Sequence, residues 1–347
     1  MKKMIVTGGA GFIGSNFIRY ILSKYNDYEI ANIDLLTYSG NLENLQDVEN
    51  NPHYRFIQGN IADKTFVYSI IERDVDVVVN FAAESHVDRS IMDSYDFLRT
   101  NVLGTQVLLE TVREKNIPLF VQISTDEVYG SLGETGLFKE TTPLSPRSPY
   151  SASKASADLL VMAYYETHKT PVIITRCSNN YGPYQFPEKL IPLMIINALN
   201  DKELPVYGDG LNVRDWINVI DHCEALDRVI HKGKIGEIYN VGANNEWRNI
   251  DIVKLVLDKL NKPYSLIKFV KDRPGHDRRY AIDSTKIQTK LGWSPQINFD
   301  KGIEETIQWY KNNKSWWEKI MSGEYKNYYK KMYGDRLKEG QSFKQNK

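Results

Sequence analysis

The sequence predicts a doubly wound α/β fold, a parallel sheet with helices on both faces, together with a smaller α+β region made from discontinuous segments. Three observations carry this expectation. Short runs rich in Val and Ile recur through the first half, amphipathic stretches lie between several of them, and a glycine-rich turn follows the first run directly. Parallel strands are covered on both faces, so they read as continuous apolar runs, and each crossover needs a helix.

Taken in order, the expected strands are residues 3–7, 29–33, 54–58, 75–80, 119–124 and 172–177. The expected helices are 12–25, 64–73 with Asp63 as N-cap, 95–115 and 151–168. After Cys177 the rhythm breaks. Pro183, Pro187, Pro192 and Pro205 punctuate residues 178–214, which read as loops around one short helix. Residues 215–219 and 238–241 are expected to return as late strands of the main sheet. Residues 250–260 read as a helix and 272–276 as a polar loop. The basic tail from Lys311 interleaves Trp316, Trp317, Tyr325, Tyr328, Tyr329 and Tyr333, and reads as a terminal helix packing its rings.

Lys plus Arg and Asp plus Glu both number 44, so no overall field draws the chain to nucleic acid or to an anionic membrane. Only two cysteines occur, Cys177 and Cys223, too few for a disulfide framework and in no metal-ligand spacing. After the Met-Lys-Lys start the apolar stretch Met4–Val6 soon reaches glycine, far short of a signal peptide's apolar region, and no apolar run approaches a membrane span. A cytoplasmic setting with no metal is therefore expected.

Gly8, Gly11 and Gly14 stand between the first strand and the first helix. Glycine is needed there because the backbone turns tightly and must approach a diphosphate, which the N–H groups of the helix N-terminus then bind. Asp34 ends the second strand 20 residues after Gly14, a distance suited to an adenosine ribose 2′-hydroxyl. A carboxylate there repels a 2′-phosphate, and Leu35, Leu36 and Thr37 supply no arginine, so the expected cofactor is NAD rather than NADP. Asn60 and Ile61, after the third strand, are placed to border the adenine.

Tyr150 and Lys154 share one helix face at i and i+4. A phenol is a poor base near neutral pH, and a neighbouring ammonium is expected to favour the phenolate. Thr125, ending the fifth strand, strengthens that reading, and Asp126 and Glu127 follow it where a sheet of this kind binds its ligands. Removing a proton while expelling a hydroxyl requires one carboxylate base and one protonated carboxyl, with their pKa values pushed apart. An epimerisation needs no such pair.

The residues Gly8–Gly14, the run Ser-Thr-Asp-Glu-Val-Tyr-Gly over 124–130 and the Tyr150/Lys154 pair resemble the extended short-chain dehydrogenases acting on nucleotide sugars. The likeness extends to Ala-Ala-Glu-Ser-His-Val-Asp over 82–88, Thr100-Asn101, Ser-Asn-Asn-Tyr-Gly-Pro over 178–183, Arg214-Asp-Trp and Asp-Arg-Pro-Gly-His-Asp over 272–277. Within that group the pattern is most similar to bacterial dTDP-glucose 4,6-dehydratases of the rhamnose pathway. The resemblance implies a lyase that oxidises C4, eliminates water across C5 and C6, and returns the hydride to C6. It gives Tyr150, assisted by Lys154 and Thr125, the C4 hydroxyl proton, makes Glu127 the C5 base and makes Asp126 the acid. It sets the N–H groups of Phe12 and Ile13 on the diphosphate, and places Ala82, Ala83, Glu84, Ser85, Thr100 and Asn180 around the nicotinamide half. Ser85, Thr125, Asn179, Lys189, Leu190, Pro205, Tyr207, Arg214, Asn249, Arg273 and His276 are implied to bind a nucleotide sugar, with the two arginines on its diphosphate and Tyr207 stacked on the base.

It further implies a homodimer joined through helices 95–115 and 151–168. The expected division is residues 1–180 with 215–245 for NAD, and 181–214 with 246–347 for substrate. Rival readings are a UDP-sugar 4-epimerase or decarboxylase, a GDP-mannose 4,6-dehydratase, and a non-catalytic NAD-sensing regulator.

Overall fold

The computed structural model describes residues 1–343. Its centre is a seven-stranded parallel sheet built from β1 (Lys2–Thr7), β2 (Tyr28–Asp34), β3 (Tyr54–Gln58), β4 (Val77–Asn80), β5 (Phe120–Thr125), β6 (Val172–Cys177) and β10 (Ile238–Val241). Their order across the sheet is β10-β6-β5-β4-β1-β2-β3, so the direction of winding reverses between β1 and β4. Every residue of β5 and β6 is buried, as the continuous apolar runs require. One face packs the helices Phe12–Lys24 and Val219–Lys232, and the other packs Thr105–Lys115 and Pro149–His168. Among the described residues no helix is long and apolar enough to cross a membrane.

Two smaller sheets stand beside this one. One joins β7 (Asn179–Tyr181), β9 (Val213–Asn218) and β11 (Glu246–Arg248); the other joins β8 (Leu204–Tyr207), β12 (Ile267–Val270) and β13 (Gln341–Ser342). The expectation that residues 215–219 re-enter the main sheet is therefore corrected. β9 carries Arg214 and Asp215, and a strand covered on both faces by apolar side chains offers them no partners. Between β7 and β11 they find some: Asn245 N donates to Asp215 Oδ1 at 2.7 Å, and Arg214 Nη2 donates to Asp277 O at 2.9 Å. Residues 238–241 do return to the main sheet, as expected.

A second apolar core joins the helices Leu190–Leu199, Asn249–Leu260 and Phe299–Asn312 with Trp316, Trp317, Met332 and Tyr333 of the tail. The tail forms the helices Lys314–Ser322 and Glu324–Glu339 and does bury much of its aromatic surface; residues 344–347 lie outside the described part. Ile287, Leu291 and Trp293, which the sequence division assigns to the smaller region, pack instead into the core under the main sheet. The expected helix 95–115 is continuous but winds as a π-helix over Leu98–Gly104. Such a turn re-aims side chains, and here Thr100 faces the ligand cleft.

Candidate active site

A cleft of about 290 Å³ runs across the C-terminal ends of β1, β2, β4, β5 and β6, at the point where the winding reverses. Gly8, Gly11, Phe12, Ile13 and Gly14 form its floor. Gly8 has φ +70°, and a Cβ there would lie 2.5 Å from Ala82 N, so this glycine lets the turn after β1 meet the loop after β4. A Cβ on Gly14 would lie 2.6 Å from Gly8 O. Gly11 is the N-cap of Phe12–Lys24. No side chain caps that end and no acid stands in the first turn, so its N–H groups are left for an anion.

Asp34 also lines the cleft, accepting from Ala10 N at 2.9 Å and Leu36 N at 2.8 Å. Leu35, Thr37, Asn60, Ile61, Ala82, Ala83, Glu84, Ser85, Thr100 and Asn180 complete the dinucleotide half, while Leu36 contributes its backbone and does not line the cleft. Anion-ready N–H groups, a buried carboxylate 20 residues on and the unpartnered Oδ1 of Asn179 together fit NAD.

The catalytic candidates converge at the end of β5. Ser148 caps the helix Pro149–His168 in a reciprocal capping box with Ser151, and Pro149 occupies its first turn, which fixes Tyr150 and Lys154 against the strand end. Thr125 Oγ1 donates to Asp126 Oδ1 at 3.3 Å and accepts from Glu127 N at 3.3 Å. Lys154 Nζ donates to Ile123 O at 2.7 Å. The expected lowering of the Tyr150 pKa by Lys154 does not appear. Burial and the charge of Glu127 raise it well above the ordinary phenol value, with Thr125 pulling the other way. Burial in turn lowers the Lys154 pKa.

Asp126 and Glu127 have contrasting surroundings. Asp126 is 1% exposed. Burial, then Glu127 and Asp215, push its pKa well above the carboxylate range. Glu127 is half-buried and lines the cleft. Burial raises its pKa too, but Arg273, Arg214 and Lys189 all favour its charged form. The acids around Asp126 thus favour its protonated form, while the cations facing Glu127 favour its charged form.

Of the implied substrate residues, Ser85, Thr125, Asn179 and Lys189 line this cleft; Leu190, Pro205, Tyr207, Arg214, Asn249, Arg273 and His276 lie outside it. Arg214 is buried without an acidic partner, its guanidinium 4.2 Å from the Tyr280 ring. Arg273 stands 3.7 Å from Asp88, and its Nε lacks a partner, as does Asn249 Oδ1. His276 accompanies the arginines, and burial with their charge lowers its pKa to about 4. Tyr207 OH donates to Asp88 Oδ2 at 3.0 Å and accepts from Arg336 at 2.8 Å. Pro205 is buried in β8, and Leu190 opens its helix beside Lys189.

A family model described as GDP-mannose 4,6 dehydratase matches residues 5–306. A dTDP-glucose 4,6-dehydratase of Xanthomonas campestris pv. campestris is 51% identical, covering 94% of this chain and 98% of that protein. The chain belongs to the dTDP-glucose 4,6-dehydratase family. A crystal structure of the Bacillus anthracis dTDP-glucose 4,6-dehydratase in complex with NAD superposes with a TM-score of 0.87 at 54% identity, over 92% of this chain and 100% of that one. The dTDP-glucose 4,6-dehydratase DesIV of Streptomyces venezuelae, with NAD and TYD bound, gives 0.89 at 46%, over 92% and 99%.

In this member of the dehydratase family, sequence reasoning missed one part of the cleft wall. Glu188 lines the cleft with a side chain only 1% exposed, accepting from Tyr38 OH at 2.9 Å and Arg89 Nε at 3.0 Å. His86, read from sequence as a polar loop residue, is buried beside them, 4.0 Å from Glu188. Burial and the nearby cations hold its pKa well below the ordinary value. The one available signal was the adjacency of Glu188 to Lys189.

Proposed function

We propose that the chain dehydrates dTDP-glucose to dTDP-4-keto-6-deoxyglucose in nucleotide-sugar biosynthesis, a hydro-lyase reaction in which NAD is regenerated each turnover. The observation that carries this reading is the contrast between Asp126, buried among carboxyls, and Glu127, facing Lys189 and two arginines. Tyr150, whose pKa Thr125 acts to lower, takes the proton of the C4 hydroxyl. NAD, which Gly8, Gly11, Phe12, Ile13, Gly14 and Asp34 would hold in this cleft, would supply the acceptor for the C4 hydride, its return to C6 and a positive charge near the phenol. The C4 ketone acidifies the C5 hydrogen, which Glu127 removes. Asp126 gives its proton to the C6 hydroxyl, which leaves as water, and C5 is then reprotonated from Glu127. Arg214 and Arg273 supply the positive charge for the diphosphate.

Incubation with dTDP-, UDP-, CDP- and GDP-hexoses tests the reading. The expected result is 4-keto-6-deoxy product from dTDP-glucose with no net change in nicotinamide redox state. Stoichiometric release of free NADH would reject it.

A homodimer is part of the proposal. Ile91, Met92, Tyr95, Leu98 and Leu103 over 87–104, with Leu159 on Pro149–His168, expose large apolar side chains on neighbouring helices. A contiguous patch of that kind marks an interface. The wild type is expected to sediment at twice its 40.1 kDa chain mass and Leu98→Glu nearer to one chain. Identical masses for the two proteins would place the interface elsewhere.

A further inference from the structure

Beyond the reaction itself, the basic aromatic tail folds back over the site. Trp316 Nε1 donates to Asn44 Oδ1 at 2.9 Å, and Asn44 Nδ2 donates to Ala10 O of the glycine-rich turn at 2.8 Å. Tyr325 OH donates to Pro187 O, next to Glu188, at 3.1 Å. The Tyr328 ring centroid lies 4.0 Å from the Arg89 guanidinium, and the Tyr38 ring centroid lies 3.7 Å from it.

We propose that the helix Glu324–Glu339 is a positioning element of the active site, in which Tyr328 closes an aromatic cage holding Arg89 on Glu188 and thereby fixes Lys189 in the cleft. A buried carboxylate is tolerated only with a hydrogen-bonded counter-ion, and Arg89 Nε supplies one to Glu188 at 3.0 Å. The Arg89 side chain is 24% exposed, so water competes for it. Two rings packed on it reduce that water's access and add cation–π attraction, which strengthens on desolvation. Glu188 directly precedes Lys189, whose Nζ donates to Ser85 O at 2.8 Å and whose charge acts on Glu127. The cage is thus linked through two adjacent residues to the carboxylate at C5. The tail helix lies beyond the residues that the family model matches.

The kinetic part of the test rests on the proposed role of Glu127, so a second readout is chosen that needs no turnover. Tyr328→Leu keeps bulk without an aromatic face; Tyr328→Phe keeps the face without the hydroxyl that sits 3.3 Å from His86. The Leu variant is expected to lose kcat roughly tenfold, the scale of one desolvated cation–π contact. Its KM for dTDP-glucose and its NAD content should stay within about twofold of wild type. Amide hydrogen exchange over residues 186–190 should quicken by a similar factor in the Leu variant and not in the Phe variant. Unchanged exchange in the Leu variant overturns the cage, as does a Phe variant as impaired as Leu, which would transfer the effect to the hydroxyl. Should Tyr328→Leu not fold, Arg89→Lys is measured instead. It keeps the charge but loses the planar group packed on the rings, and wild-type exchange there overturns the cage equally. A wild type inactive on dTDP-glucose with the expected exchange pattern would count against the proposed function and leave the cage standing.

Discussion

Glu127→Gln and Asp126→Asn are each expected to stop the reaction after C4 oxidation, lowering 4-keto-6-deoxy product by about 10²–10⁴-fold while enzyme-bound NADH still forms. Neither change touches Thr125, Tyr150 or Lys154, which are the groups proposed to act at C4. Gln keeps the shape of Glu127 but cannot accept the C5 proton. Asn at 126 cannot deliver a carboxyl proton to the leaving hydroxyl. The near-ultraviolet absorbance of reduced nicotinamide, followed after mixing with dTDP-glucose, reports the first half of the reaction; product assay reports the second. In deuterated water the Gln variant should also exchange the C5 hydrogen far more slowly than wild type. Both carboxamide variants making product at near wild-type rates would show that this pair does not carry the elimination, and would bring the epimerase reading forward.

Tyr150→Phe is the complementary case. The phenol is buried, and burial and Glu127 raise its pKa, so it is a base only when a cation, with the opposing effect of Thr125, offsets them. Removing the hydroxyl should lower kcat about 10²-fold or more and abolish the rise in near-ultraviolet absorbance. Binding of dTDP-glucose and NAD should persist, because the lost interaction is made on a proton in transit. Activity within a few-fold of wild type would exclude Tyr150 as the C4 base.

Much of this architecture is legible in one dimension. β1, β5 and β6 are contiguous Val- and Ile-rich runs, and the glycine spacing with Asp34 identifies the cofactor turn, because each signal lies within a stretch of about 30 residues. β9 is misplaced for the opposite reason. Trp216 and Ile217 read as a buried strand, but the fate of Arg214 and Asp215 depends on Asp277 and Asn245, far along the chain. The Glu188 cluster is invisible to periodicity because its bonds join residues 99 and 150 positions apart. Likewise Tyr150 and Lys154 are found by their spacing, yet the spacing does not say that the ammonium binds the Ile123 carbonyl. The contrast between Asp126 and Glu127 is set by Asp215 on the one and Arg273 on the other, neither of them nearby in sequence.

The chain passes from the main sheet at Cys177 into the two small sheets and comes back to it at Ile238, before leaving again at Glu246. Neither the wall that holds the dinucleotide nor the layer carrying Arg214 and Arg273 is therefore one uninterrupted stretch of gene. A single recombination breakpoint cannot exchange one for its counterpart in a relative without splitting both. A lineage with this topology can alter what the layer around Arg214, Asn249 and Arg273 accepts by individual substitutions or by insertions into its loops, but not by swapping a module. Its substrate range should drift in small steps while the chemistry proposed for Thr125–Glu127 and Tyr150 is inherited intact.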